Sequence, residues 1–224
     1  MSEAAPSPFE PADVVGRIAP AGSEADHADS VLVARAQAGD RGSLGQLLRR
    51  HERRLYNTVL RMVNHRDDAA DILQDAYTKI VEKFDSFRGD AAITTWMTRI
   101  VMNQTLDHMR RRMRRGDTVR SDTDLSGRTG DGPGPLERAA VSREADPAAD
   151  AELRDDHRAA LRAVNALDVE FRAVLVLRDI GGLDYEAIGR VLNLPTGTVK
   201  SRLFRARLAV REALRDGAAE EVSR

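Results

Sequence analysis

The sequence predicts an all-α protein made of two small helical domains joined by a flexible linker, and three observations carry that expectation. Apolar residues recur at helical spacing, most plainly after Thr196, where Val199, Leu203, Ala206, Val210 and Leu214 fall at i, i+4, i+7, i+11 and i+15. Aromatic residues are only 4% of the 224, and glycine and proline cluster rather than scatter, a composition that favours helices over sheet. Residues 116 to 150 hold five glycines and three prolines with almost no apolar period, which reads as a linker between two periodic regions.

With 42% hydrophobic and 32% charged residues, the chain has material for one or two small domains and some tail. No run of about 18 apolar residues occurs, and the N-terminus lacks the basic flank and apolar core of a signal peptide, so no direct membrane insertion is expected. The absence of cysteine excludes disulfides, thiol redox sensing and thiolate zinc sites, and suits a reducing cytoplasm. The formal net charge of -1 hides a division: residues 1 to 30 carry -5 and residues 116 to 150 carry -4, whereas residues 31 to 115 hold 17 basic against 10 acidic side chains. Two basic-leaning modules with acidic flexible segments before and between them are a distribution expected of a nucleic-acid binder. Arginine supplies 32 of the 35 basic residues; it grips phosphate bidentately, but the bias runs through the whole chain and genome composition explains it equally well.

In chain order, residues 1 to 28 contain four prolines, small residues and acid without a helical period, which predicts a disordered extension. Val31 to Ala38 makes a short helix ending near Gly39. Leu44 to Val63 makes a longer one, with Leu44, Leu48, Leu55, Val59 and Met62 on its apolar face and Arg49, Arg50, Arg53 and Arg54 among the polar remainder. Asp67 or Asp68 opens a third helix running to about Phe84. On it Ala69, Leu73, Ala76, Tyr77, Ile80 and Phe84 share a narrow arc, opposite Asp67, Asp68, Asp71, Gln74, Asp75 and Glu82; an acidic face of this kind is most often only a solvated face. Phe87-Arg88-Gly89-Asp90 is a turn, and a fourth helix starts near Ala92, burying Ile93, Met97, Ile100 and Val101. A neighbouring stripe holds Trp96, Arg99, Asn103, Asp107 and Arg110, and the helix runs out into the basic cluster Arg110 to Arg115. A lone tryptophan is more often core than function, and a basic helix end is as often solvated as bound to phosphate.

After the linker, Leu153 to Ala166 resume a helix, Asp168 caps the next one through Asp179, and Gly181-Gly182 ends it. Leu161, Val164, Phe171, Val174, Leu175 and Leu177 make a small core. Asp184 to Asn193 is a short helix, Leu194 to Gly197 is a break, and Thr196 is placed to N-cap the helix that follows. Opposite that helix's apolar stripe stand Thr198, Ser201 and Arg205, with Phe204 and Lys200 at the edges, and no acidic residue occurs between Gly197 and Arg211. Break, cap, stripe and charge agree on a helix-turn-helix whose outward face suits phosphates and base edges.

At these residues a family resemblance emerges. The run from Leu183 to Arg207, with Tyr185, Ile188, Pro195 and Gly197-Thr198-Val199-Lys200-Ser201-Arg202, resembles the second DNA-binding domain of bacterial sigma factors, nearest to the extracytoplasmic-function (ECF) group. The segment DDAADILQDAYTKI resembles the part that docks on the clamp helices of the RNA polymerase beta-prime subunit, and FRGDAAITTWMTRIVMN resembles the promoter-melting and -10 recognition segment. Ala70 and Ile93 depart from the acidic and aromatic residues common there. The resemblance implies sigma region 2 at 29-115, sigma region 4 at 151-217, the extension and linker as above, and a tail at 218-224. It also implies site residues: Asp71, Gln74 and Asp75 against the clamp; Phe87, Arg88, Trp96, Arg99, Asn103 and Arg110 for the -10 element and melting; Thr198, Lys200, Ser201, Phe204 and Arg205 for the -35 element. The implied partners are core RNA polymerase, through the clamp helices and the beta flap, promoter DNA, and an anti-sigma factor.

Enzymatic signatures are absent from the sequence: no glycine-rich phosphate loop ending in Gly-Lys-Ser/Thr, no His-Glu-x-x-His, no Gly-x-Ser-x-Gly, and five histidines without metal-ligand spacing. The expectation is a non-enzyme with no cofactor and no metal. A free-standing helix-turn-helix regulator is the alternative; it explains the C-terminal motif but not the acidic helix or the Trp96 stripe.

Overall fold

The computed structural model describes residues 23–115 and 158–222, with side-chain surroundings for 27–115 and 158–216. Within them the protein is helical, and no strand occurs among the described residues. Four helices form the N-terminal unit: α1 (Ser23–Gln37), α2 (Arg41–Val63), α3 (Arg66–Lys83, running into a 3-10 turn at Phe84–Ser86) and α4 (Ile93–Arg115). The C-terminal unit holds α5 (158–166), α6 (Val169–Leu175, continuing as a π turn at Val176–Ile180), α7 (Tyr185–Leu192) and α8 (Thr196–Val222). The extension through residue 22 and the whole linker lie outside the described residues.

Local chemistry sets the helix ends. The Asp40 carboxylate accepts from the amides of Gly42 and Ser43 and so caps α2, and Asn64 closes that helix in the left-handed region at φ 52. The cap of α3 is His65, whose ring accepts from the Asp68 amide, rather than Asp67 or Asp68. Asp168 occupies the cap position of α6 as expected, but its carboxylate makes no capping bond. Thr196 is the first residue of α8 and not its cap; the turn starts from the Pro195 carbonyl, which accepts from the Val199 amide.

The N-terminal core takes Leu55, Val59, Met62, Ala69, Leu73, Ala76, Ile80, Phe84, Ile93, Met97 and Val101 from the expected faces. It adds Leu47, Ile72 and Met102, while Leu44, Leu48, Tyr77 and Ile100 are only partly buried. In the C-terminal unit Val199, Leu203, Ala206 and Val210 are buried as the spacing predicts. Leu161, Val164 and Phe171 are half-buried rather than central, and Ile188, Val191 and Leu183 fill the places beside Val174 and Leu177.

Two elements run further than expected. Helix α8 continues to Val222. Helix α1 begins at Ser23, within the stretch read as a disordered extension. Its anchor is polar, which an apolar-period reading does not register: Asp29 is 3% exposed and faces His51 Nε2 at 2.8 Å and Arg50 Nη1 at 3.2 Å on α2. Burial pushes the His51 imidazole below its ordinary pKa, against the pull of Asp29.

The two units pack on each other, α7 against α4 and the π turn against α2. Helix α4 is buried over a wide arc, with Thr94, Thr95, Thr98, Thr105 and Met109 covered as well as Ile93, Met97, Val101 and Met102. Thr98 and Thr105 satisfy their hydroxyls on the Thr94 and Val101 carbonyls of their own helix, so the covered face leaves these donors paired. Two arginines cross the seam. Arg172, 8% exposed, donates to the Met62 carbonyl at the end of α2 at 2.8 Å and to the Asn165 and Leu167 carbonyls at 2.5 and 3.0 Å. Arg54 of α2 donates to the Gly181 carbonyl.

Candidate nucleic-acid interface

The turn of the helix-turn-helix depends on small and left-handed residues. The Asp184 carboxylate accepts from the Ala187 amide at 2.7 Å and starts α7, and Asn193, at φ 55, ends it. The chain then folds back so tightly that a Cβ on Gly189 would stand 2.7 Å from the Leu194 carbonyl oxygen. Only glycine fits there. Helix α8 leaves this turn with its apolar stripe seated on α6 and α7.

On the other side of α8, Lys200, Ser201, Phe204 and Arg205 are exposed and Thr198 is half-exposed. Phe204 is 70% exposed, the largest value for a large hydrophobic among the described residues. Ser201 donates to the Thr198 carbonyl at 3.0 Å, and Lys200 Nζ lies 5.8 Å from the centre of the Tyr185 ring, which Arg178 also faces at 5.0 Å. The five expected residues therefore form one surface. Two other arginines of the run have partners: Arg202 pairs with Glu170 at 2.5 Å and Arg207 with Asp179 at 2.7 Å. Those two arginines hold α8 on α6 and the π turn, whereas Arg205 makes no ion pair among the described residues.

On the N-terminal unit the stripe of α4 is an exposed ridge. Arg99, Asn103 and Arg110 are exposed, Trp96 is half-buried and Arg88 is exposed in the preceding loop. Arg110 contacts Asp107 at 3.2 Å on the surface. Phe87 is 8% exposed, with its ring 5.4 Å from Trp96, which in turn meets Phe84 edge-on at 6.4 Å. The three rings form one cluster, with Phe87 tilted 56° against Trp96. The loop turns at Gly89, whose φ of +80 is a left-handed geometry suited to glycine.

A third surface lies on α3, where Asp71, Gln74 and Asp75 are exposed together and neither aspartate forms an ion pair among the described residues. Asp68 belongs elsewhere: it turns inward to Arg112 at 2.5 Å, with His108 at 3.7 Å. Among the described residues no cluster of histidines and carboxylates could hold a metal ion, and no helix is long and apolar enough to cross a membrane.

A basic recognition helix after a tight turn, tied to a second helical unit with an aromatic ridge and an acidic face, defines a multi-surface transcription protein. The family model for sigma-70 region 2 matches residues 47–115 and that for sigma-70 region 4 matches residues 157–210. The RNA polymerase sigma-H factor of Pseudomonas aeruginosa is 32% identical over 190 residues, covering 83% of this chain and 93% of that protein. The ECF RNA polymerase sigma-E factor of Escherichia coli is 34% identical over 183 residues, covering 81% and 92%. Among solved structures, the sigma factor RpoE of Bartonella quintana, in complex with the anti-sigma factor NepR, superposes with a TM-score of 0.57 at 25% identity, covering 77% of this chain and 96% of that one. The chain belongs to the sigma-70 family, in its ECF group. It is a sigma factor, with core RNA polymerase and promoter DNA as partners, and not a free-standing regulator. Sigma factors are DNA-recognition subunits that generally carry no enzymatic activity.

Proposed function

We propose that the three surfaces divide the work of initiation. Thr198, Lys200, Ser201, Phe204 and Arg205 on α8 read the -35 element in the major groove. Phe87, Arg88, Trp96, Arg99, Asn103 and Arg110 read and hold the melted -10 strand, with residues 29–115 and 151–217 as the two working domains. Asp71, Gln74 and Asp75 dock on the beta-prime clamp helices, and the C-terminal unit meets the beta flap. The protein works in the cytoplasm, carries no chemistry of its own, and is held in reserve by an anti-sigma factor. The observation that carries the reading is the division of the basic residues on α8: the arginines at its flank are neutralised by Glu170 and Asp179, while the outward face keeps Arg205 without an ion pair among the described residues. Mixing the chain with core polymerase and measuring transcription from a cognate promoter tests it; DNA binding without initiation would sink it.

Two residue-level outcomes follow. Arg205→Ala is expected to cost about 1 to 3 kcal/mol and to relax preference at one -35 position, whereas Lys200→Ala weakens all sequences evenly and flattens the salt dependence. Titration of a panel of -35 variants at two salt concentrations separates them, and an equal loss for every variant with Arg205→Ala would remove its role as a base reader.

On the -10 side, an unstacked base laid on Trp96 gains about 1 to 3 kcal/mol, and the exposed Asn103 amide offers both a donor and an acceptor to a base edge. Asn103→Ala should leave closed complexes nearly intact and reduce open ones, and a pre-melted bubble should restore much of the loss in Trp96→Ala. Permanganate reactivity of promoter thymines reports this; normal opening in both variants would make the ridge a packing surface only.

A further inference from the structure

Helix α1 precedes the residues that the region 2 family model matches, and none of the roles above uses it. We infer that α1 is part of the -10 reader and that Gln37 is a positioning residue for its loop, an inference that rests on the assignment of the -10 strand to the α4 ridge. The Gln37 side-chain amide donates from Nε2 to the Phe87 carbonyl at 2.9 Å, across 50 residues of sequence. A carbonyl can only accept, so the nitrogen end of the amide is the one that faces it.

The placement of this bond gives it its meaning. The Phe87 amide already donates to the Phe84 carbonyl at 2.9 Å, so Gln37 fixes the remaining backbone polar group of the residue from which the loop departs. On the far side the Ala92 carbonyl accepts from the Trp96 amide at 3.1 Å and enters α4. Between those points Arg88, Gly89 and Asp90 are exposed. The Phe87 ring lies against Trp96 at 5.4 Å, so a shift of the Phe87 backbone is transmitted to the indole on which a base would stack.

Helix α1 is in turn a fixed support. Its Asp29 is buried against His51 and Arg50 of α2, and Gln37 is the last residue of the helix, just before the left-handed Gly39 at φ +98. Gln37 itself is exposed, and a carbonyl at a loop edge can be satisfied by water at little cost. The bond is therefore not required to pay for burial. What it supplies is a defined position for Phe87, the kind of support from outside the contact surface that holds a recognition site in its productive geometry.

The test uses holoenzyme reconstituted from core polymerase and the full chain. The probe is a labelled single-stranded DNA of about a dozen nucleotides, selected from a randomised pool by the wild-type holoenzyme. Gln37→Leu removes the donor at an exposed helix end where the fold tolerates leucine. Core polymerase affinity and -35 duplex affinity should stay within twofold, while affinity for the single strand falls roughly five- to tenfold, the scale of one lost hydrogen bond. Trp96 is the single tryptophan of the chain, and its emission in the free protein should shift in Gln37→Leu. Gln37→Lys, which restores a donor of similar reach, should recover both readouts. Single-strand affinity unchanged in Gln37→Leu, or a lysine variant as weak as the leucine variant, would overturn the inference. A wild-type holoenzyme whose strand binding is indifferent to Asn103→Ala would instead overturn the -10 assignment beneath it.

Discussion

Arg172→Leu is expected to be among the most destabilising single changes available in this chain, lowering the unfolding free energy by about 3 to 5 kcal/mol. The guanidinium donates to three carbonyls, one on the N-terminal unit and two on its own. Leucine matches much of the volume but leaves those carbonyls facing an apolar group, and each buried acceptor left unpaired costs about 1 to 3 kcal/mol. Part of the sum is returned because the buried cation is costly to hold: burial lowers its pKa, with Asp168 opposing, and its Nε has no hydrogen-bond partner among the described residues. Arg172→Lys keeps the charge but cannot fork to three acceptors, and should recover less than half. Urea unfolding of the full chain followed by circular dichroism measures both; a loss under about 1 kcal/mol in the leucine variant would mean that water replaces the guanidinium freely.

The second large effect concerns polymerase rather than stability. Asp71→Lys with Asp75→Lys reverses two exposed charges on one face of α3, and like-charge contacts in an interface cost several kcal/mol. Competition for core polymerase should fall by two or more orders of magnitude, since each 1.4 kcal/mol is about tenfold. The fold should be unaffected, because neither carboxylate pairs with another residue among those described, and -35 DNA binding by α8 should persist. A folded double variant that still competes normally for core polymerase would leave the acidic face as solvated surface.

What the sequence made legible follows from how each feature is encoded. The stripe from Val199 to Val210 and the face from Ala69 to Ile80 are periodic, and periodicity survives without knowledge of the tertiary fold. The exposed ridge of Arg99, Asn103 and Arg110 and the outward face of α8 were legible for the same reason. The roles proposed for them rest on motif resemblance. Features fixed by partners distant in sequence were not legible. Nothing near Asp29 announces His51, 22 residues on, and nothing near Phe87 announces Gln37, 50 residues before it. The burial of Thr94, Thr95, Thr98 and Thr105 has no apolar signature in the sequence, and they lie on the helix against which the unit beyond the linker packs. Helical phase set Arg205 apart from Arg202 and Arg207, but it did not show that those two pair with Glu170 and Asp179.

The seam that Arg172 and Arg54 cross bears on reach. Promoter elements named for positions -35 and -10 lie some 25 base pairs apart, about 85 Å of duplex at 3.4 Å per pair. A single packed body of about 160 residues has a radius of gyration near 15 Å and is roughly 40 Å across. With the -35 reader on α8 and the -10 reader on α4 as proposed, units closed on each other hold a ruler folded at half its working length, and reading both elements at once is expected to take α7 off α4 and the π turn off α2. Opening would expose the Met62 and Gly181 carbonyls to water, which can satisfy them. The hydrogen bonds that Arg172 and Arg54 make across the seam are thus exchanged for bonds to water rather than lost on opening.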